Sequence, residues 1–262
     1  MMRALFTAAS GMEAQQLNLD VISNNLSNVS TTGYKQSRVD FEDILSQIIR
    51  PPGAQVAQGV QDPTGITVGL GVRPGATQRV FTQGDLERTD NPLDMAIEGA
   101  GFFQVTLPDG TIAYTRDGSF KKDSTGRLVT SNGYPLSPEI DIPQNATSIS
   151  IGQDGTVSVI VQGTAAPQVI GQVTLASFIN PAGLQSQGQN LLVETGASGP
   201  PIIGNAGTNG LGLITQGFVE GSNVQAVNEL IKIIIAQRAF EFNSRAITTA
   251  DNMLNVASGL VR

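Results

Sequence analysis

Apolar positions near the two ends of the chain recur in alternating steps of three and four, whereas those of the middle alternate in twos or cluster in short runs. In the first stretch Leu5, Ala8, Met12, Gln15, Leu19, Ile22, Leu26 and Val29 form the seam of a coiled coil, interrupted by one Gln. Near the far end Ile233, Ala236, Phe240, Asn243, Ile247, Ala250, Leu254, Ala257 and Val261 repeat the spacing, interrupted by one Asn. The pattern predicts a first helix over residues 3–29, ended by Gly33, and a last helix that opens at Ser222-Asn223-Val224-Gln225 and closes at Ser258-Gly259. A second start for the first helix, a capping box at Ser10-Gly11-Met12-Glu13, is less attractive because the seam already begins at Leu5.

The first helix is weak by itself. Asn18, Asn24, Asn25 and Asn28 each cost up to ~0.7 kcal/mol relative to Ala, and Gly11 costs about 1 kcal/mol. A seam Leu or Ile contributes about 1.5 to 3 kcal/mol only when fully buried, so order should depend on packing against other helices. Gln15 and Asn243 either fix the register of that packing, at a cost in stability, or face solvent where the seam drifts.

Between the helices the signals change. Residues 35–66 lack clear periodicity: Phe41, Ile44, Leu45, Ile48 and Ile49 suggest a short amphipathic turn, broken by Arg50-Pro51-Pro52-Gly53. This stretch reads either as a flexible linker or as an ordered interface segment. From residue 67 to 213, short apolar runs such as Phe102-Phe103-Gln104-Val105 alternate with Asp109-Gly110, Asp117-Gly118, Asn132-Gly133 and Asp154-Gly155, dipeptides suited to tight hairpins. Residues 196–212 read as a returning loop. The expected fold is therefore α+β, with coiled-coil-like terminal helices forming a shaft and an inserted, mainly antiparallel β domain. Its expected parts are residues 1–34, a connecting segment 35–66, the β-rich domain 67–213 and the last helical part 214–262.

Composition narrows the chemistry. With 15 basic and 22 acidic residues the net charge is −7, which argues against nucleic acid or an anionic membrane as partner. Cysteine and histidine are both absent, removing thiolate metal sites, the commonest general base and the commonest transition-metal ligand. Ser119-Phe120-Lys121-Lys122 matches a Ser-x-x-Lys motif but sits among hairpin turns rather than at a helix start. The carboxylate clusters Asp40, Glu42, Asp43 and Asp85, Glu87, Asp90 lack the ligand spacing of a calcium loop, and Gly69-Leu70-Gly71 lacks the third glycine of a dinucleotide fingerprint. Glycosylation triplets at Asn25, Asn28 and Asn145 fit chance. The chain is expected to need neither cofactor nor metal and to perform no catalysis. The start of the chain falls short of a secretory signal, so export, if any, is expected without a cleaved leader.

Ala9-Ser10-Gly11-Met12, the run from Leu19 to Asn28, and Thr31-Thr32-Gly33-Tyr34-Lys35 resemble the N-terminal signature of the bacterial flagellar rod and hook axial proteins. Gln237-Arg238-Ala239-Phe240-Glu241, Asn243-Ser244 and Thr249-Ala250-Asp251 with Met253-Leu254 resemble the matching C-terminal signature. Arg50-Pro51-Pro52-Gly53, Val68-Gly69-Leu70-Gly71-Val72-Arg73-Pro74 and Asn91-Pro92-Leu93-Asp94-Met95-Ala96-Ile97-Glu98-Gly99 are most similar to the distal-rod members. Ser27 and Ser30 stand where the family usually carries Ala and Asn, a departure expected to loosen the end of the first helix; Arg245 stands where Lys is frequent.

The resemblance implies a structural drive-shaft subunit that assembles helically with itself through its terminal helices, passes torque from motor to hook, and is exported by the flagellar type III apparatus. It implies proximal-rod, hook and hook-junction, P-ring and L-ring proteins as neighbours in the periplasm, without membrane insertion. It also makes Leu45, Ile48, Ile49, Arg50, Pro51 and Pro52 a rod-type segment contacting axial neighbours. A hook or proximal-rod protein is the alternative within the family. Outside it, a secreted β-rich adhesin or hydrolase is the alternative.

Overall fold

The terminal seams form two long helices, α1 (Met2–Ser27) and α2 (Ala226–Gly259), in a computed structural model that describes residues 2–52, 55–57, 60–61, 64–163 and 166–259. Between them lies a mainly antiparallel β region, so the fold is α+β. The chain divides into two compact units: one combines residues up to Ser27, Ser37–Gln78 and those from Gln225 onward, the other Asn28–Gln36 and Arg79–Val224. Residues 37–78 group with the helices because strand Ser37–Asp43 pairs with Val72–Arg79, returning the segment on itself.

In the first unit α1 and α2 run antiparallel. Asn25 near the end of α1 meets Glu229 near the start of α2, while Gly11 lies against Asn243. The approach at Gly11 is close: a Cβ there would stand 2.7 Å from Asn243 Nδ2, so glycine's helix penalty is exchanged for proximity. Ala8 and Ala14 are buried beside it. Ser10 lies inside the helix, its hydroxyl donating to the Thr7 carbonyl at 3.0 Å, as expected for the longer helix and not for a capping box.

α1 ends at Ser27, two residues short of Val29. The Ser27 hydroxyl bonds back to the Ser23 carbonyl at 2.9 Å, and Gly33 in the following turn has φ 67°. α2 begins later than its sequence box suggests. Gln225 supplies the carbonyl for Glu229 N–H at 3.0 Å, whereas the Ser222 hydroxyl accepts from Val224 N–H at 3.3 Å, a local turn.

The amphipathic turn expected around residues 41–49 is instead extended. Gln47–Arg50 pairs antiparallel with Ile66–Val68, because β-branched Ile48 and Ile49 favour strands and Pro51 forces its predecessor out of the helical region. Gly53 and most of the residues just beyond it lie outside the described residues, and no side chain of residues 53–63 is described.

The second unit is organised on a six-stranded antiparallel sheet, in the order Gln185–Gly188, Leu191–Val193, Ile112–Thr115, Phe102–Thr106, Thr174–Ser177 and Ile202–Asn205. The last of these strands lies within the stretch read as a loop. Consecutive Phe102 and Phe103 point to opposite faces, as a strand requires. Phe103 packs edge-on to Phe120 in the main core, with Met95, Ile97, Leu175 and Ile214. Phe102 joins Phe178, Tyr114 and Leu192 in a second cluster.

Gly110, Gly133 and Gly155 take the positive φ their turn dipeptides promised, at 83°, 86° and 86°. Asp117-Gly118 serves differently. Gly118 lies so close to the Met95 carbonyl that any side chain would collide with it.

Entry to and exit from this unit are pinned together. The Asn223 side chain accepts from Gln36 N–H at 2.7 Å and donates to the Val80 carbonyl at 2.8 Å. Beneath it Glu220, fully buried, binds Lys35 Nζ at 2.5 Å, Arg116 at 3.3 Å and the Gly84 N–H at 2.9 Å.

Candidate functional site

At 100° per residue, α2 carries two apolar stripes on nearly opposite sides. The first is the seam read from sequence. Ala236 and Ala250 are buried, Ile233, Asn243, Ile247 and Leu254 are half-buried, Phe240 is 38% exposed and Ala257 is exposed; Val261 lies outside the described residues. On α1, Ala8 and Ile22 are buried and Leu5, Met12, Gln15, Leu19 and Leu26 half-buried, while half-buried Val29 lies in the turn beyond the helix. The two helices pair within one chain, with Gly11 against Asn243, and Gln15 and Asn243 are both half-buried.

The second stripe has no cover. Val227, Ile231, Ile234, Ile235, Phe242, Met253 and Val256 are each half or more exposed, with Arg238 and Arg245 between them. Such a row of exposed apolar residues on a 34-residue helix is the kind of surface that marks an interaction site. Sequence reading missed it. The signal was present in steps of four and three from Val227 through Ile231 to Ile234, but apolar residues on both sides of a helix weaken any single-face pattern.

A clasp secures the covered side. Asn25 exchanges two bonds with the Ser37 backbone, at 2.8 and 2.9 Å, and donates to Glu229 at 3.3 Å. Glu229 is buried and also binds Lys232 at 2.5 Å. Asn25 is therefore committed to the fold and is closed to glycosylation.

The rod-type residues Leu45, Ile48, Ile49, Arg50, Pro51 and Pro52 are all exposed, Leu45 to 87%. Ile66, across the ladder from Arg50, is exposed as well.

Two carboxylates of the first acidic cluster are drawn into ion pairs, Asp40 with Arg38 at 3.0 Å and Glu42 with Arg73 at 2.9 Å. Asp85, Glu87 and Asp90 are exposed. Ser119 donates to Asp117 at 2.7 Å, and both Lys121 and Lys122 face solvent, so no nucleophile and base are brought together there. Among the described residues no group of three or more metal-binding side chains converges, and no helix is long and apolar enough to cross a membrane. Lys35, Arg116 and Glu220 are buried together. Burial pulls Lys35 and Arg116 below their ordinary values, opposed by the Glu220 carboxylate.

Comparison with known proteins agrees with these elements. Residues 5–35 match the flagella basal body rod protein family, residues 96–159 the flagellar hook protein FlgE/F/G D1 domain, and residues 215–260 the flagellar basal body rod FlgEFG protein C-terminal family. The flagellar basal-body rod protein FlgG of Buchnera aphidicola subsp. Acyrthosiphon pisum is 51% identical over 260 residues, covering 99% of this chain and all of the relative. FlgG of Borreliella burgdorferi is 50% identical over 264 residues and that of Bacillus subtilis 40% over 267, each covering both chains in full. The chain belongs to the FlgG family of flagellar basal-body rod proteins, structural components of the flagellar basal body.

Proposed function

We propose that this chain is a subunit of the distal rod, a helical assembly of copies of itself that carries torque from motor to hook. The observation that carries the reading is the second stripe of α2. The seam residues are in part covered by the intrachain pairing of α1 with α2, and the exposed row from Val227 to Val256 adds a second surface for a neighbouring copy to their uncovered parts. A helix apolar on two sides is suited to a packed wall, in which one side meets its own partner and the other meets the next subunit. The Leu45 to Pro52 segment would add contacts along the axis.

In this reading torque passes through packed side chains rather than chemistry, and the β-rich unit sets diameter and lateral contacts. Proximal-rod, hook and hook-junction proteins would adjoin the two ends of the assembly, and P-ring and L-ring proteins would surround it. It would lie across the periplasm, delivered by the flagellar type III apparatus without a cleaved leader.

The test is the double variant Ile231→Asp with Ile235→Asp, followed by sedimentation and electron microscopy of the purified chain. The monomer should keep its circular dichroism and melting temperature, because exposed substitutions usually change stability by less than about 0.5 kcal/mol. Polymerisation should be lost. Filaments formed as readily as by the parent chain would overturn the reading.

A further inference from the structure

The β-rich unit contains a cleft that helix packing leaves unused. Lys35, Arg79 and Arg116 line it together with Ser186 and Asn190, and it holds about 170 Å³, room for several groups the size of a water at about 30 Å³ each. Among the described residues no Asp or Glu lines it. Three cations therefore face one space. The nearest acid bound to any of them, Glu220, is already divided between Lys35 and Arg116.

Arg79 is the cation left over. It is half-buried, and among the described residues its side-chain hydrogen bond goes to the Ser186 hydroxyl at 3.0 Å and no carboxylate lies within 4.0 Å of it. Burial holds its guanidinium below the ordinary value, with only Tyr34 opposing. Arg116 is by contrast committed, its terminal nitrogens bonding the Glu220 carboxylate and the Ile97 and Gly99 carbonyls. A desolvated guanidinium with idle donors is matched by a planar anion that can take two parallel N–H bonds, which is the geometry of a carboxylate.

We propose that this cleft is a carboxylate-binding site, with Arg79 as its fork, and that it is filled by an acidic side chain of a second copy of the chain. Charge supports that source. Acids outnumber bases 22 to 15, so a basic cleft is complementary to most of the surface another copy can present. A cleft that meets a different patch on its neighbour makes a head-to-tail contact, which closes into rings or continues as a helix. The site itself stands without the rod reading; the identity of the donor rests on it.

The first measurement is the arginine Nε–H NMR signals of the monomer during titration with sodium acetate, against sodium chloride at equal ionic strength. The Arg79 signal should shift saturably with acetate. Arg79→Gln should abolish binding and Arg79→Lys should weaken it, with both variants melting like the parent. A shift that tracks ionic strength alone overturns the site.

The second measurement is the critical concentration for polymerisation. Arg79→Gln should raise it roughly tenfold, the scale of one charge-assisted pair. If acetate binds but Arg79→Gln polymerises like the parent, a second copy is not the donor. If instead the Ile231→Asp/Ile235→Asp variant polymerises while acetate still binds, the assembly reading fails and the carboxylate site stands.

Discussion

The two units bury their apolar residues in different ways. In the β-rich unit Met95, Phe103, Phe120, Leu136, Leu175 and Ile214 are almost wholly withdrawn from solvent by strands of the same unit. Among the described residues of the helical unit only Ala8, Ala14, Asn25 and Ile22 of α1 and Glu229, Ala236 and Ala250 of α2 are buried, most of them small or polar, while large residues such as Phe6, Ile235 and Phe242 face outward. Full burial of a large side chain contributes about 1.5 to 3 kcal/mol, and Ala far less. The β-rich unit can therefore stand by its own core. The helical unit leaves most of its large apolar residues exposed.

The strongest way to break this comparison is a pair of matched truncations. Phe103→Ala should cost the isolated chain about 3 to 5 kcal/mol, as expected for a fully buried aromatic, and half-buried Leu19→Ala clearly less. Denaturant unfolding of the two variants measures both. Equal losses would show that the helix pair is as well packed as the β core.

A smaller effect sharpens it. Asn25→Ala removes the partner of Ser37 and one of those of Glu229, and should cost about 1 to 3 kcal/mol. The loss should appear as faster amide exchange in α1 and the start of α2, with strand Phe102–Thr106 unchanged. Uniform acceleration throughout the chain would mean that the two units unfold as one.

The smallest expected effect is in acid. Hydrogen bonds from Thr156 hold the Asp154 carboxyl below its ordinary value, as Thr111 does for Asp109. A depressed folded value stabilises above the unfolded carboxylate value of about 3.9, and that contribution is lost as pH falls through the folded value. The hairpin at Asp154-Gly155 should thus keep its chemical shifts below pH 4 until its own carboxyl titrates. Asp154→Asn should flatten that part of the acid profile.

Much of this architecture was legible in the chain. Steps of three and four placed both helices, and Asp-Gly and Asn-Gly dipeptides placed three hairpin turns. What escaped depends on partners remote in sequence. Lys35, Arg116 and Glu220 share one buried network, yet no local pattern joins them. Strand Gln47–Arg50 was hidden because all four of its residues are exposed, so it shows no inside–outside alternation. The second stripe of α2 was masked by the first.

The pinned ends of the β-rich unit have a consequence for the order of folding. Asn25 and Glu229 are separated by 204 positions in sequence, and each doubling of a loop adds about 0.6 kcal/mol to the cost of closing it. Gln36 and Asn223, themselves 187 positions apart, are joined inside the β-rich unit. Once that bond is made, the helices meet across two short arms instead of a loop of some two hundred residues, a saving of about 2 kcal/mol. The middle of the chain thus acts as a splint that turns a long-range pairing into a local one, and the two ends are expected to pair last.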